Sequence, residues 1–173
     1  MLTVSVTKKN VLCAVLVACG LILGYVENMF PPVIPLYGLK IGFSNLVVIY
    51  SLYILNTKRA LAIGVIKAVL CGLLFSGLMS IAYSMLGIIF SVFSMHIVKK
   101  FQNFMSEIGV SVIGSATFQV GQIVVACAFL KNIAPIYYLS YLLIGSVPCG
   151  IISGSIVRMI KNRIRILKEV NNE

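Results

Sequence analysis

The sequence predicts an all-α membrane protein, a bundle of six transmembrane helices with both termini cytoplasmic, and three observations predict it. Of its 173 residues, 60% are hydrophobic and only 10% charged, against roughly a quarter charged in a soluble domain. Uncharged residues gather into stretches over 10–26, 41–57, 68–98, 108–130 and 132–157, each reaching the roughly 17–25 residues that a spanning helix needs. The basic residues alternate between scarcity and abundance from one inter-span segment to the next, which sets an orientation. The apolar runs are continuous, without the period-two alternation of a transmembrane barrel, so helices are favoured.

The first span follows Lys8 and Lys9 and runs to Glu27. Prolines follow it where a cleaved leader would have a small-residue cleavage site, so the helix is expected to be retained. Small residues recur within it at spacing four, Ala14 and Ala18 on one face, Gly20 and Gly24 on another. Such faces let a neighbouring helix approach closely in lipid. That neighbour is either a helix of the same bundle or a separate membrane subunit.

The connection that follows reads ENMFPPVIPLYGLKIGFSN. Pro31, Pro32 and Pro35 bar a continuous helix, and the segment is long and apolar enough to fold over the bundle as a lid. Its alternative is an interfacial loop anchored by Phe30 and Tyr37. The second span is expected over Ile41–Thr57. The stretch over 68–98 is too long for one helix; with Ala60–Ile66 it makes spans three and four, each of about 19 residues, hinged around Ser76–Ser80. Spans five and six complete the set. The division is a membrane domain over 1–160 and a basic cytoplasmic tail over 161–173.

Lys8, Lys9, Lys58, Arg59, Lys99, Lys100, Arg158, Lys161, Arg163, Arg165 and Lys168 fall on one side, while Lys40 and Lys131 fall on the other. The positive-inside rule makes the first side cytoplasmic. This topology accounts for the net charge of +10, so nucleic-acid binding is not expected; contact with anionic lipid is. Cys13, Cys19, Cys71, Cys127 and Cys149 all fall within spans, without a C-x-x-C pair or a histidine at ligand spacing. They read as small packing residues.

The chain has no aspartate, and its four acidic residues are Glu27, Glu107, Glu169 and Glu173. Magnesium-dependent diphosphate chemistry needs clustered oxygen ligands, which this chain does not supply, and no P-loop occurs. His96 has no partner nucleophile or carboxylate at useful spacing and reads as interfacial. The expectation is a non-enzyme with no metal or cofactor of its own.

Lys67 lies about 12 Å from the cytoplasmic boundary at 1.5 Å per residue. A lysine at mid-membrane costs about 2.5–3.5 kcal/mol on insertion scales, so it faces the bundle interior, a partner or water. Snorkelling back to the cytoplasmic surface is the alternative. Glu27 is a candidate partner, although it stands higher in the membrane and needs a tilted helix or a bridging water. In span five, Gln119 and Gln122 share a face with Ser115; Ser44 and Asn45 on span two and Ser84 on span four add polar groups. Together with Lys67 they suggest a pocket.

The order of motifs resembles a known family. Tyr25-Val26-Glu27 before prolines, Gly38-Leu39-Lys40-Ile41-Gly42-Phe43-Ser44-Asn45, Lys67–Gly72, Ser84-Met85-Leu86-Gly87 and Gly109–Gly114 together resemble the Gx transporter family. Its members often carry the label heptaprenyl diphosphate synthase component I, and the family is similar to the S components of energy-coupling-factor transporters. The resemblance covers nearly the whole chain. It implies a six-helix protein of the bacterial cytoplasmic membrane that binds a small vitamin-like or cofactor-like molecule, partnered by a coupling membrane subunit and two ATPases that consume the ATP. It implies that Ala14 and Ala18 form the docking face and that the loop after span one covers the ligand. Glu27, Asn45, Lys67, Gln119 and Gln122 are then the substrate-binding candidates. Two departures stand out. Lys67 occupies a place where the family commonly has arginine, which keeps the charge without the bidentate fork; Phe118-Gln119 stands where the family commonly has His-Asn. Two other readings are carried: a non-catalytic membrane subunit associated with isoprenoid or quinone synthesis, and a stand-alone secondary carrier.

Overall fold

The computed structural model describes residues 6–29, 43–100 and 105–170. The proline-rich connection, and with it the expected lid and Lys40, lies outside the described residues. Helix α1 spans Val6–Met29. A 3-10 turn over Phe43–Asn45 leads into α2, Leu46–Ile54. Helix α3 covers Thr57–Cys71 and continues as a π-helical turn over Gly72–Ser76. Helices α4 (Leu78–Lys100), α5 (Glu107–Leu130) and α6 (Pro135–Val170) follow. Among the described residues, five helical segments are long and apolar enough to cross a membrane: Thr7–Met29, Thr57–Ser76, Leu78–Lys100, Glu107–Leu130 and Pro135–Arg163.

The expected second span, Ile41–Thr57, differs from this. Its helical core, α2, has nine residues, about 14 Å at 1.5 Å per residue and half of a bilayer's hydrocarbon thickness. Asn56 is extended, with φ −157° and ψ 159°, so the chain turns back into α3 at once. Within α2, Val47, Val48, Ile49, Ser51 and Leu52 are all buried. The helix is apolar because protein encloses it, which is the second circumstance that produces an all-round apolar helix besides lipid.

The break between spans three and four falls within the expected hinge. Gly77 has φ +82°, a backbone region that glycine enters without steric cost, and its N–H donates to the Gly72 carbonyl at 2.8 Å. A single residue thus reverses the chain between two spans. Helix α6 has 36 residues, about 54 Å long at 1.5 Å per residue. The expected boundary after residue 160 therefore falls within a continuous helix. Pro148 lies inside α6, where it supplies no N–H to the helical ladder.

Helix α5 is the central element, packed against α4 and α6 along their lengths, while α1, α2 and α3 pack together beside them. A Cβ added at Gly121 on α5 would stand 2.8 Å from Gly87 Cα on α4. Similarly, a Cβ at Gly150 on α6 would stand 2.6 Å from Val112 Cα, and one at Gly154 would stand 2.6 Å from Ile108 Cα. Helices α4, α5 and α6 therefore cross backbone on backbone, the packing that small residues permit where lipid gives no hydrophobic drive. Outward faces carry large apolar side chains such as Leu73, Leu78, Phe93, Tyr137 and Ile144.

Gly150→Val is expected to destabilise the bundle by about 1–3 kcal/mol, because the β-branched side chain must separate α5 from α6. Gly145→Ala, at a position with nothing within 4 Å of the added carbon, is expected to raise stability by about 0.4–1 kcal/mol by restricting the unfolded chain. Thermal unfolding of both variants in one detergent checks the contrast.

Candidate ligand site

Leu16, Gly20, Gly24 and Glu27 form the buried stripe of α1, at spacings of four, four and three that keep them on one face of a helix. The face carrying Gly20 and Gly24 packs inside the bundle. A Cβ at Gly20 would stand 2.9 Å from Lys67 Cδ, so the missing side chain makes room for the aliphatic stem of the lysine. Ala14 and Ala18, on the other face, are exposed.

Lys67 is only 4% exposed. Its stem runs beside Gly20, and its ammonium Nζ donates to Ser44 Oγ at 2.9 Å. The Ser44 hydroxyl in turn donates to Glu27 Oε2 at 3.1 Å, and the Ser44 N–H donates to the same oxygen at 3.4 Å. Lys67 therefore reaches away from the lysine-rich end of the bundle and does not snorkel to it. The difference in height between Lys67 and Glu27 is spanned by a serine hydroxyl. Glu27 lies at the start of the 3-10 turn that opens α2, where backbone N–H groups and the helix dipole favour a negative charge. A carboxylate of the chain itself thus occupies an anion position, completed by a buried cation.

Around this chain lies a cavity of about 10 Å³ lined in part by Gly24, Glu27, Ser44, Lys67, Ser84 and Phe118, about the room of one water molecule. Glu27 and Lys67 line the same cavity and are linked through Ser44. Asn45, Gln119 and Gln122 do not line this cavity. Asn45 is buried beside Ser44, and its Nδ2 donates to Ser91 Oγ on α4 at 3.1 Å. Its Oδ1 is buried without a hydrogen-bond partner. Ser111, Ser115, Gln119 and Gln122 form an inward stripe along α5, all buried. Asn28 Nδ2 donates to Ser76 Oγ at 2.7 Å, tying the end of α1 to the π-helical turn.

Sequence reasoning placed Ser44 in the general polar inventory and missed its bridging role. Its position at the start of a short inner helix, which the uncharged run concealed, gives it that role. None of the five cysteines forms a disulfide. His96 Nδ1 lies 2.9 Å from Thr57 Oγ1 at the lysine-rich end, far from Lys67. No group of three or more His, Cys, Asp or Glu side chains able to hold a metal ion occurs among the described residues.

Lys67→Met is expected to cost about 3–5 kcal/mol of stability by leaving the Glu27 charge buried opposite an apolar side chain. Adding Glu27→Gln is expected to restore part of that loss, because the second change removes the uncompensated charge. A double-mutant cycle on thermal unfolding measures the coupling.

No curated protein and no solved structure matches the chain. Its sequence does match one family over residues 16–160, a range that runs from α1 into the second half of α6 and contains the Lys67–Ser44–Glu27 chain. The protein belongs to the heptaprenyl diphosphate synthase component I family.

Proposed function

We propose that the chain is the substrate-binding membrane component of an ATP-driven uptake transporter of the energy-coupling-factor type, taking a small vitamin-like or cofactor-like molecule with a carboxylate or phosphate group. The observation that carries this reading is Lys67, a buried cation linked through Ser44 to Glu27 at the start of a short helix. An ionisable residue inside a membrane bundle is expensive and marks a substrate or ion pathway by default. A ligand anion arriving at the same helix start would meet Lys67 and the Ser44 N–H, and would take the place now held by the Glu27 carboxylate. The open Oδ1 acceptor of Asn45 stands beside Ser44 to receive a ligand donor; Gln119 and Gln122 add further buried polar capacity.

The 10 Å³ cavity is far below the roughly 300–1,000 Å³ of a small-molecule site. Loading therefore requires Glu27 and α1 to withdraw from Ser44 and α2. The exposed face carrying Ala14 and Ala18 belongs to the same helix, so a coupling subunit gripping that face would act on Glu27 directly. In this reading the protein is a multi-pass component of the bacterial cytoplasmic membrane, its basic end inside, and the ATPases are separate chains.

The family's own description favours a second reading, a membrane subunit that accompanies a prenyl diphosphate synthase. Affinity capture of the tagged protein from its native membrane, with mass spectrometry of what accompanies it, separates the two. A coupling membrane protein with two ATPases is the expected result, and Ala14→Leu with Ala18→Leu should remove it. Capture of a prenyl synthase that survives those changes would overturn the transport reading. In a panel of carboxylate- and phosphate-bearing vitamins, any compound that raises the melting temperature of the wild type should fail to do so for Lys67→Met.

A further inference from the structure

We infer that the lysine-rich end of the bundle carries a second site, separate from Lys67, that binds a phosphate group. A cavity of about 250 Å³ opens there, lined by His96, Lys99 and Lys100 from α4, Asn56 and Thr57 at the start of α3, and Leu52 at the end of α2. It is about 25 times the volume of the small cavity beside Lys67, enough for a diphosphate or a phosphoglycerol headgroup. Among the described residues, no acidic side chain lines it.

Lys99 is held in place by contacts that leave donors over. Lys99 Nζ donates to the Leu52 carbonyl at 2.8 Å and stands 4.8 Å from the centroid of the Tyr53 ring. An ammonium has three N–H donors, and the carbonyl takes one. Lys161 approaches the same ring at 5.5 Å, and its own charge is met by Glu107 Oε1 at 2.6 Å. Glu107, the nearby carboxylate, is therefore directed at Lys161. His96 shares its Nδ1 with the Thr57 hydroxyl, which leaves Nε2 for a ligand. Lys100 is exposed at the rim. Helix α3 begins here without a side-chain cap from Asn56, so its first backbone N–H groups also face the anion.

A positively charged cavity at the end of a membrane bundle fits a phosphate presented either by a lipid headgroup of the surrounding leaflet or by a soluble compound. Both share the same recognising chemistry, and only the source differs. The basic juxtamembrane position favours the lipid, because each such lysine or arginine contributes about 1 kcal/mol of attraction to an anionic surface.

The test uses the full chain in detergent, with two probes. Native mass spectrometry compares retention of phosphatidylglycerol with that of phosphatidylcholine, and calorimetry measures binding of inorganic pyrophosphate. The variant His96→Gln/Lys100→Gln keeps the Lys99 contact to Leu52 and is checked for an unchanged melting temperature. Lys8→Gln/Lys9→Gln removes charge from the same end, away from the cavity. The expected result is preferential retention of phosphatidylglycerol, reduced about fivefold or more by the His96/Lys100 variant, the effect of losing about one such basic group, and unchanged in the Lys8/Lys9 variant. Pyrophosphate binding that disappears in the His96/Lys100 variant, without lipid preference, would support the site with a soluble phosphate as its source. Wild type binding neither probe, or equal losses in both variants, would overturn the proposal.

Discussion

A positive charge held in the middle of an apolar bundle is the constraint around which the rest of this structure is arranged. Lys67 is only 4% exposed, and burying an ammonium without a partner is among the costliest arrangements a protein can adopt. The solution uses three elements. Helix α1 supplies Glu27 and, through Gly20, the space for the lysine stem; the turn before α2 supplies Ser44; and α3 supplies the lysine itself. Withdrawal of any one element leaves a charge or a hydroxyl stranded in the interior, so the relative position of α1, α2 and α3 is tied to this contact.

Helix α2 makes that arrangement geometrically feasible. A full-length span in its place would put its first residues at a membrane surface. Ending at Ile54 and beginning near Phe43, it instead places a helix start, with its unsatisfied N–H groups, inside the bundle beside Glu27. Short helices that end within a bundle are a recurrent means of presenting backbone donors to an anion at depth. The remaining helices form a different kind of structure. Glycines at the α4–α5 and α5–α6 crossings bring backbones together and produce a tight scaffold, against which the α1–α2–α3 group is packed.

The two ends of the bundle differ in chemistry. At one end, and reaching into its middle, a single cation is neutralised within the chain, in a cavity hardly larger than a water molecule. At the other, several cations surround an open space and only Lys161 is paired with a carboxylate among the described residues. A closed, self-neutralised site suits a ligand that must displace an internal contact in order to enter. An open basic one suits a ligand whose charge is exchanged with solvent or with a lipid surface.

The sequence by itself determined the membrane class, the helical character, the spans of α1, α3, α4, α5 and α6, and a break within Ser76–Ser80. Each of these follows from hydropathy, charge placement or a residue with unusual backbone freedom, which are local properties. It also singled out Lys67 and Glu27, because ionisable residues in apolar runs are visible without a fold. Only the tertiary structure decided that Ile41–Thr57 contains a short inner helix, since an uncharged stretch looks the same whether protein or lipid surrounds it. It likewise decided that Gly20 and Gly24 face Lys67 and Cys71 while Ala14 and Ala18 face outward, that Ser44 joins the two charges, and that Asn45, Gln119 and Gln122 lie outside the small cavity. These depend on the rotation and depth of one helix against another, and the long-range packing of α1, α2 and α3 around a buried cation sets both.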